Sequence, residues 1–215
     1  MSVQQAYNQW ASQYDTNLNK TRDLEAQVLR AVLSAISFDS CLEIGCGTGK
    51  NTAWLMQQAG RVTAVDFSEE MLSLARTKTD AGHVTFRQAD IKQPWAFRND
   101  RYDLVSFSLV LEHIENLDPV FAEAAAALHP GGHVYIGELH PFKQYTGSKA
   151  RFDTEAGQQV VECFNHHVSD FIQAAKKHGL QPVGLTEHFD DGDRTTLPRI
   201  LAILFQKPGG INPRL

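Results

Sequence analysis

Between Leu42 and Leu55 the chain reads LEIGCGTGKNTAWL, which gathers Glu43, Gly45, Cys46, Gly47 and Gly49 between an apolar run and the start of a helix. The glycines let the backbone turn sharply and approach a ligand where a Cβ would collide. Cys46 fits the same loop through its small size. A second apolar run, RVTAVD, ends on Asp66, 21 positions after Gly45. A carboxylate about 20 residues beyond a glycine loop accepts hydrogen bonds from ribose hydroxyls. These residues describe a nucleoside site. Their spacing is G-x-G-x-G rather than the dinucleotide G-x-G-x-x-G, and Glu43 stands two residues before the first glycine. An acid there repels a phosphate and suits a cation such as an ammonium.

S-adenosylmethionine carries both an ammonium and a ribose. At these residues the chain resembles the class I S-adenosylmethionine-dependent methyltransferases, in particular the small-molecule branch often called type 11. The resemblance runs from Tyr14 to Leu139 through ordered pieces: Glu43 to Gly49, VDFSEEML from Val65, FRQADI from Phe86, then YDLVSFSLVLEHI and LHPGGHVYIGE. It implies S-adenosylmethionine as cofactor and methyl transfer to an O, N, S or C nucleophile of a small-molecule acceptor. It also implies that Asp90 accepts from the adenine amine, that Ile91 packs on the ring, and that Tyr14 contacts the methionine carboxylate. Phe67 and Met71 either line the adenosine cleft or belong to the core. The alternatives are an RNA or protein acceptor, a non-catalytic cofactor-binding module, or a Rossmann-like loop for another nucleoside. The N-P-P-Y type tetrad of nucleic-acid amine methylation is replaced here by SLVLEH.

Hydrophobic periodicity supplies the elements that position these residues. Helices are expected over 22–37, 50–58, 69–79, 118–128 and 170–177. Strands are expected over 41–44, 61–65, 83–87, 102–108, 133–139, 181–187 and 200–206, with His129-Pro130-Gly131-Gly132 as a stop before the fifth. Helices alternating with apolar strands make an α/β, Rossmann-like, mostly parallel seven-stranded sheet covered on both faces. The resemblance implies strand order 3-2-1-4-5-7-6. Ligands bind beyond the carboxyl ends of such strands, which places the site near Gly45, Asp66, Asp90 and Ser108. A single domain over 1–215 is expected, with an N-terminal cap at 1–20 bearing Tyr7, Trp10 and Tyr14 on one helical face. Residues 140–167 are too long for an ordinary connection and read as an inserted lid. Within it, Arg151 to Thr154 and Val160 to Phe164 flank a Gly-containing turn as a hairpin. The tail PGGINPRL is expected to fray.

A sulfonium donor is already activated, so a dedicated catalytic group is optional. The candidates for a proton acceptor are His140, at the end of the fifth strand, His113, directly after Glu112, and His166 and His167 before the late helix, the other reading of each being a structural or surface histidine. Lys143, Tyr145, Arg151, His166 and His167 are candidates to meet an anionic or aromatic acceptor, the other reading being a solvated lid surface. A metal site from His140, His166, His167 and His188, or from Asp190, Asp191 and Asp193, is only weakly supported by their spacing, so no metal is expected.

Of 215 residues, 42% are hydrophobic, enough for one full core. Twenty basic against 25 acidic residues give −5, with no dense Lys/Arg block, so neither nucleic acid nor an anionic membrane is an expected partner. No apolar stretch reaches the ~20 residues that span a bilayer, and the polar start is not a signal peptide. Three scattered cysteines, Cys41, Cys46 and Cys163, fit a reducing, cytoplasmic setting. Nothing in the sequence sets the oligomeric state.

Overall fold

β1 (Ser40–Ile44) is buried along its whole length, and its side chains alternate between two cores. Leu42 and Ile44 enter one cluster, Cys41 the other. This period of two is what a strand covered on both faces requires. In the computed structural model, which describes residues 2–209 except 17, 80, 99, 155 and 156, β1 is the third strand of a seven-stranded sheet. β2 (Arg61–Asp66) and β3 (Val84–Gln88) lie to one side of it, β4 (Tyr102–Ser108) and β5 (Leu128–Leu139) to the other. These five are parallel. β9 (Ile200–Gln206) runs antiparallel to β5, and β8 (Gln181–His188) antiparallel to β9. β6 (Arg151–Thr154) and β7 (Gly157–Val160) form a separate hairpin, so the seven sheet strands keep the expected order 3-2-1-4-5-7-6.

The helices divide between the faces according to their apolar stripes. α2 (Lys20–Leu33) and α3 (Thr52–Gln58) bury Val28, Leu29, Leu33 and Leu55 against Cys41, Leu104 and Tyr135. α4 (Glu69–Lys78) packs Leu72 on Ala64, beside Cys46. On the opposite face α5 (Leu117–Ala127) and α7 (Val168–Lys177) bring Val120, Phe121, Phe171 and Ala175 onto Val105, Phe107 and Ile136. α1 (Val3–Tyr14) starts with a Ser2/Gln5 capping box. Its buried Ala6 and Trp10 pack on Val161 of the 140–167 insertion, so cap and insertion are one cluster. Tyr7, Trp10 and Tyr14 form a ring ladder, with centroids 5.7 Å apart for Tyr7 and Trp10 and 5.0 Å for Trp10 and Tyr14.

Four boundaries differ from expectation, each for a local reason. α2 stops at Leu33, where Ala35 N and Ile36 N turn to the carbonyls three residues back, Val32 O and Leu33 O, in place of the α-helical pattern. β5 begins at Leu128 and absorbs His129-Pro130-Gly131-Gly132 as an irregularity, with a register shift between Tyr102 and Leu104 and Gly131 at φ +86°. The hairpin's second strand is Gly157–Val160, whereas Val161 and Phe164 tie instead to Ala150 and Glu112 through backbone hydrogen bonds of 2.9 and 2.7 Å. A short helix, α6 (Pro141–Tyr145), was not expected; Pro141 starts it and His140 caps it. The hairpin tip at residues 155 and 156 and the tail at 210–215, expected to fray, lie outside the described residues.

Candidate active site

The loop that leaves β1 is folded by backbone contacts before any ligand is considered. Gly45 N and Cys46 N donate to Val65 O at 2.8 and 3.0 Å. Gly45 has φ +73°, and a Cβ there would overlap the Val110 side chain. Gly47 has φ +52° and faces Tyr14, whose Cε1 would stand 3.9 Å from a Cβ on it. A side chain at Gly47 would therefore fill the mouth of the cleft. Gly49 sits behind the loop, against Ala75 of α4. Asp66, the last residue of β2, accepts from Gly47 N at 2.8 Å through Oδ2 and from Ser68 N at 2.9 Å through Oδ1. Burial raises its pKa while these amides pull it down.

A cleft of about 770 Å³ opens beyond these strand ends, and Tyr14, Gly45, Gly47, Asp66, Phe67, Met71, Asp90, Ile91 and Ser108 all line it. The cleft fits an adenosylated cation. Glycines keep its mouth open, Asp66 offers its remaining lone pairs to a diol, and Asp90 stands beside Ile91 on the wall. Lys92 N donates to Asp90 Oδ1 at 3.0 Å, which fixes that carboxylate.

Two residues of the expected cofactor set are placed differently. Glu43 is buried beneath the loop, where Thr52 Oγ1 donates to its Oε2 at 2.5 Å. Burial, with Glu25 and Asp66 nearby, pushes it up to about 8, and its bond to Thr52 braces the loop from beneath. The expectation that its charge faces an ammonium is corrected accordingly. Cys46 turns its side chain into the small cluster with Ala64 and Leu72, away from the cleft wall.

Sequence reasoning missed two further buried acids. Burial lifts Glu25 to about 7 and Glu138 to about 8. Glu138 Oε1 accepts from Val110 N and Leu111 N at 2.9 and 2.8 Å. It thereby holds the turn that forces Leu109 to φ +56°. An acid inside the apolar run VYIGEL was the available signal.

Leu109, Tyr7 and Tyr14 separate the cleft from a second cavity and line both. Tyr7 Oη lies 2.8 Å from His113 Nε2, and His113 Nδ1 lies 2.8 Å from Glu162 O. A carbonyl only accepts, so Nδ1 carries the proton and Tyr7 donates to Nε2. Glu112 Oε1 is 3.9 Å from the same nitrogen. Glu112, His113 and Cys163 form the one grouping with metal-ligand proximity among the described residues, but both His113 nitrogens are already taken.

The structure corrects the expectation of a base at His140. Its ring is buried, Nδ1 accepts from Phe142 N at 3.2 Å, and Nε2 donates to Glu187 Oε1 at 3.0 Å. Burial lowers its pKa against the pull of Glu187. It is a helix cap and lines neither cavity. Of the expected acceptor residues, Arg151 lines the second cavity. The other four do not: α6 carries Lys143 and Tyr145 away, and His166 and His167 stand before α7, engaged by neighbours. Lys143 Nζ is 3.9 Å from Asp190, Tyr145 is bonded to His167, and His166 Nε2 donates to Ile114 O at 2.7 Å.

A family model described as a methyltransferase domain matches residues 42–136. An uncharacterized methyltransferase of Emericella nidulans is 26% identical over 93% of this chain and 83% of its own. A ubiquinone biosynthesis O-methyltransferase of Hydrogenovibrio crunogenus is 28% identical over 74% of this chain and 66% of its own. Among solved structures, the N-methyltransferase NodS of Bradyrhizobium japonicum with S-adenosyl-L-homocysteine has the same fold, with TM-score 0.71 and 21% identity over 97% of this chain and 100% of that one. With the glycine loop, the ordered acids and the strand order in place, residues 42–136 match a methyltransferase domain, and the chain is similar to the class I S-adenosylmethionine-dependent methyltransferases of the type 11 branch.

Proposed function

We propose that this methyltransferase acts on a small-molecule acceptor that enters the second cavity and presents its nucleophile across the wall of Tyr7, Tyr14 and Leu109. The observation that carries this reading is that these three residues face both cavities. An acceptor of metabolite size held there lies beside the donor site, and α1 and the insertion close over it. Desolvation of both reactants follows from that enclosure.

When bound, S-adenosylmethionine supplies a sulfonium-borne methyl, whose C–S electron pair stays on sulfur as a lone pair of the acceptor forms the new bond. Asp66 and Asp90 hold the nucleoside, and Gly47 leaves room for it. The proton lost by an acceptor O–H or N–H goes to Tyr7 Oη, whose own proton passes to His113 Nε2. Glu112, close to that nitrogen, supports the imidazolium that results. Tyr7 never has to persist as a phenolate, which burial disfavours strongly. The free cysteines, two of them buried, fit a reducing cytoplasm, and no described helix is long and apolar enough to cross a membrane.

Labelled methyl donor incubated with the protein and a fractionated cell extract tests the acceptor class. Label is expected in the small-molecule fraction; label confined to RNA or protein would overturn the reading. With the acceptor so identified, His113→Gln is expected to lower kcat by about 10² to 10⁴ with unchanged cofactor affinity.

A further inference from the structure

The charge on the second cavity's walls is lopsided. Arg22, Lys149, Arg151 and Arg199 line it against a single carboxyl, Glu112, in a chain whose formal charge is −5. Arg199 is committed elsewhere, since its guanidinium grips Asp190 and donates to Thr21 Oγ1 at 3.0 Å. Arg22 is fixed in place over the Tyr14 ring, 4.5 Å from its centroid, and donates to Tyr14 O. Lys149 and Arg151 come from the insertion. Among the described residues no ion pair holds either of them, and Arg151 donates to backbone oxygens of Gly147 and Lys149 at 3.2 and 3.5 Å. Glu112, the one carboxyl, is directed at His113, with its Oε1 3.9 Å from Nε2.

Two further features act in the same direction. Asn19, Thr21 and Arg22 bring the first turn of α2 to the cavity wall, and the N-terminus of that 14-residue helix adds positive potential there. Opposite charges gain most where low-dielectric walls keep water out. Tyr7, Trp10 and Leu139 supply apolar wall for the rest of the occupant.

We infer that the methyl acceptor is a small molecule bearing a carboxylate or phosphoryl anion, which Lys149 and Arg151 hold while its apolar body lies along the aromatic face of α1. The inference rests on the second cavity being the acceptor site, and deepens that reading by naming the acceptor's charge. Lys149 and Arg151 are its specificity-determining residues; neither takes part in the proton relay.

The test is calorimetric titration of the full chain saturated with S-adenosylhomocysteine, using benzoate, phenylphosphonate and neutral benzamide as probes. At least one anion is expected to bind about tenfold or more tightly than benzamide, with affinity that falls as salt rises. The stronger of the two anions tells a carboxylate site from a phosphoryl site. The double variant Lys149→Gln/Arg151→Gln is expected to lose about tenfold to a hundredfold for that anion while S-adenosylhomocysteine affinity stays as in wild type. Benzamide binding as tightly as both anions, or a double variant that keeps wild-type anion affinity, overturns the inference and leaves the small-molecule reading standing. If none of the three probes binds, the reading of this cavity as an acceptor site fails as well.

Discussion

Asp66 ties cofactor recognition to the folding of the loop, and its removal tests both. Its two carboxylate oxygens are each committed to one backbone amide, Gly47 N at 2.8 Å and Ser68 N at 2.9 Å, and their remaining lone pairs face the cleft. Charge-assisted bonds to a ribose diol contribute about 1.5 to 3 kcal/mol. Losing them in Asp66→Ala should weaken S-adenosylhomocysteine binding by about tenfold to a hundredfold. Gly47 lies on the cleft wall, where water can replace the lost acceptor, whereas Ser68 is fully buried, so the amide released there should lower the thermal midpoint as well. Asp66→Asn is the informative companion. An amide side chain has one acceptor oxygen and must set its NH2 against either Gly47 N–H or Ser68 N–H, a donor facing a donor. It should therefore bind poorly too, although it is nearly isosteric. Titration calorimetry with a parallel melting curve reads both effects. A folded Asp66→Ala that binds with wild-type affinity would refute the assignment and show that Asp66 only shapes the loop.

His140→Ala should lower the thermal midpoint, because it removes the α6 cap and the Glu187 partner, while leaving single-turnover methyl transfer near wild type; a large loss of rate at full stability would restore it as a base. Folded pKa values of about 7 for Glu25 and about 8 for Glu43 and Glu138 exceed the roughly 4.3 of an unfolded glutamate. The folded state therefore keeps protons that the unfolded chain has given up, and stability present at low pH is lost as pH rises through about 7 to 8. Melting curves of the ligand-free protein from about pH 6 to pH 9 should show a falling midpoint, less steep in Glu138→Gln; a flat profile would mean that these acids are ionised in the fold.

What could be read from the sequence follows from how local each signal is. The glycine loop, Asp66 and Asp90 carry their chemistry within short segments joined to apolar strands, so spacing alone brings them to one edge of the sheet. The order of the last two strands came only through resemblance, because periodicity fixes a strand's faces but not its neighbours. Glu43 shows where local reasoning ends: its place in sequence suggested a charge for the ligand, while Thr52, nine residues on, turns the carboxyl inward and burial raises its pKa. His140 and His113 make the same point as a pair. Both follow a glutamate-bearing segment near a strand end, yet Pro141 begins a helix that turns His140 into a cap, whereas α1 brings Tyr7 across 106 positions onto His113. The contact that gives His113 a proton partner is long-range and belongs to a cap helix whose own sequence shows only an aromatic stripe. The same holds for the acceptor cavity. Arg22, Lys149 and Arg151 come from segments far apart in the chain and share one wall only because Trp10 and Val161 dock α1 onto the insertion. The cofactor half of this enzyme is thus written in contiguous motifs, and the acceptor half in the packing of a cap on an insertion. Changes at that packing surface can redirect the acceptor without touching the glycine loop.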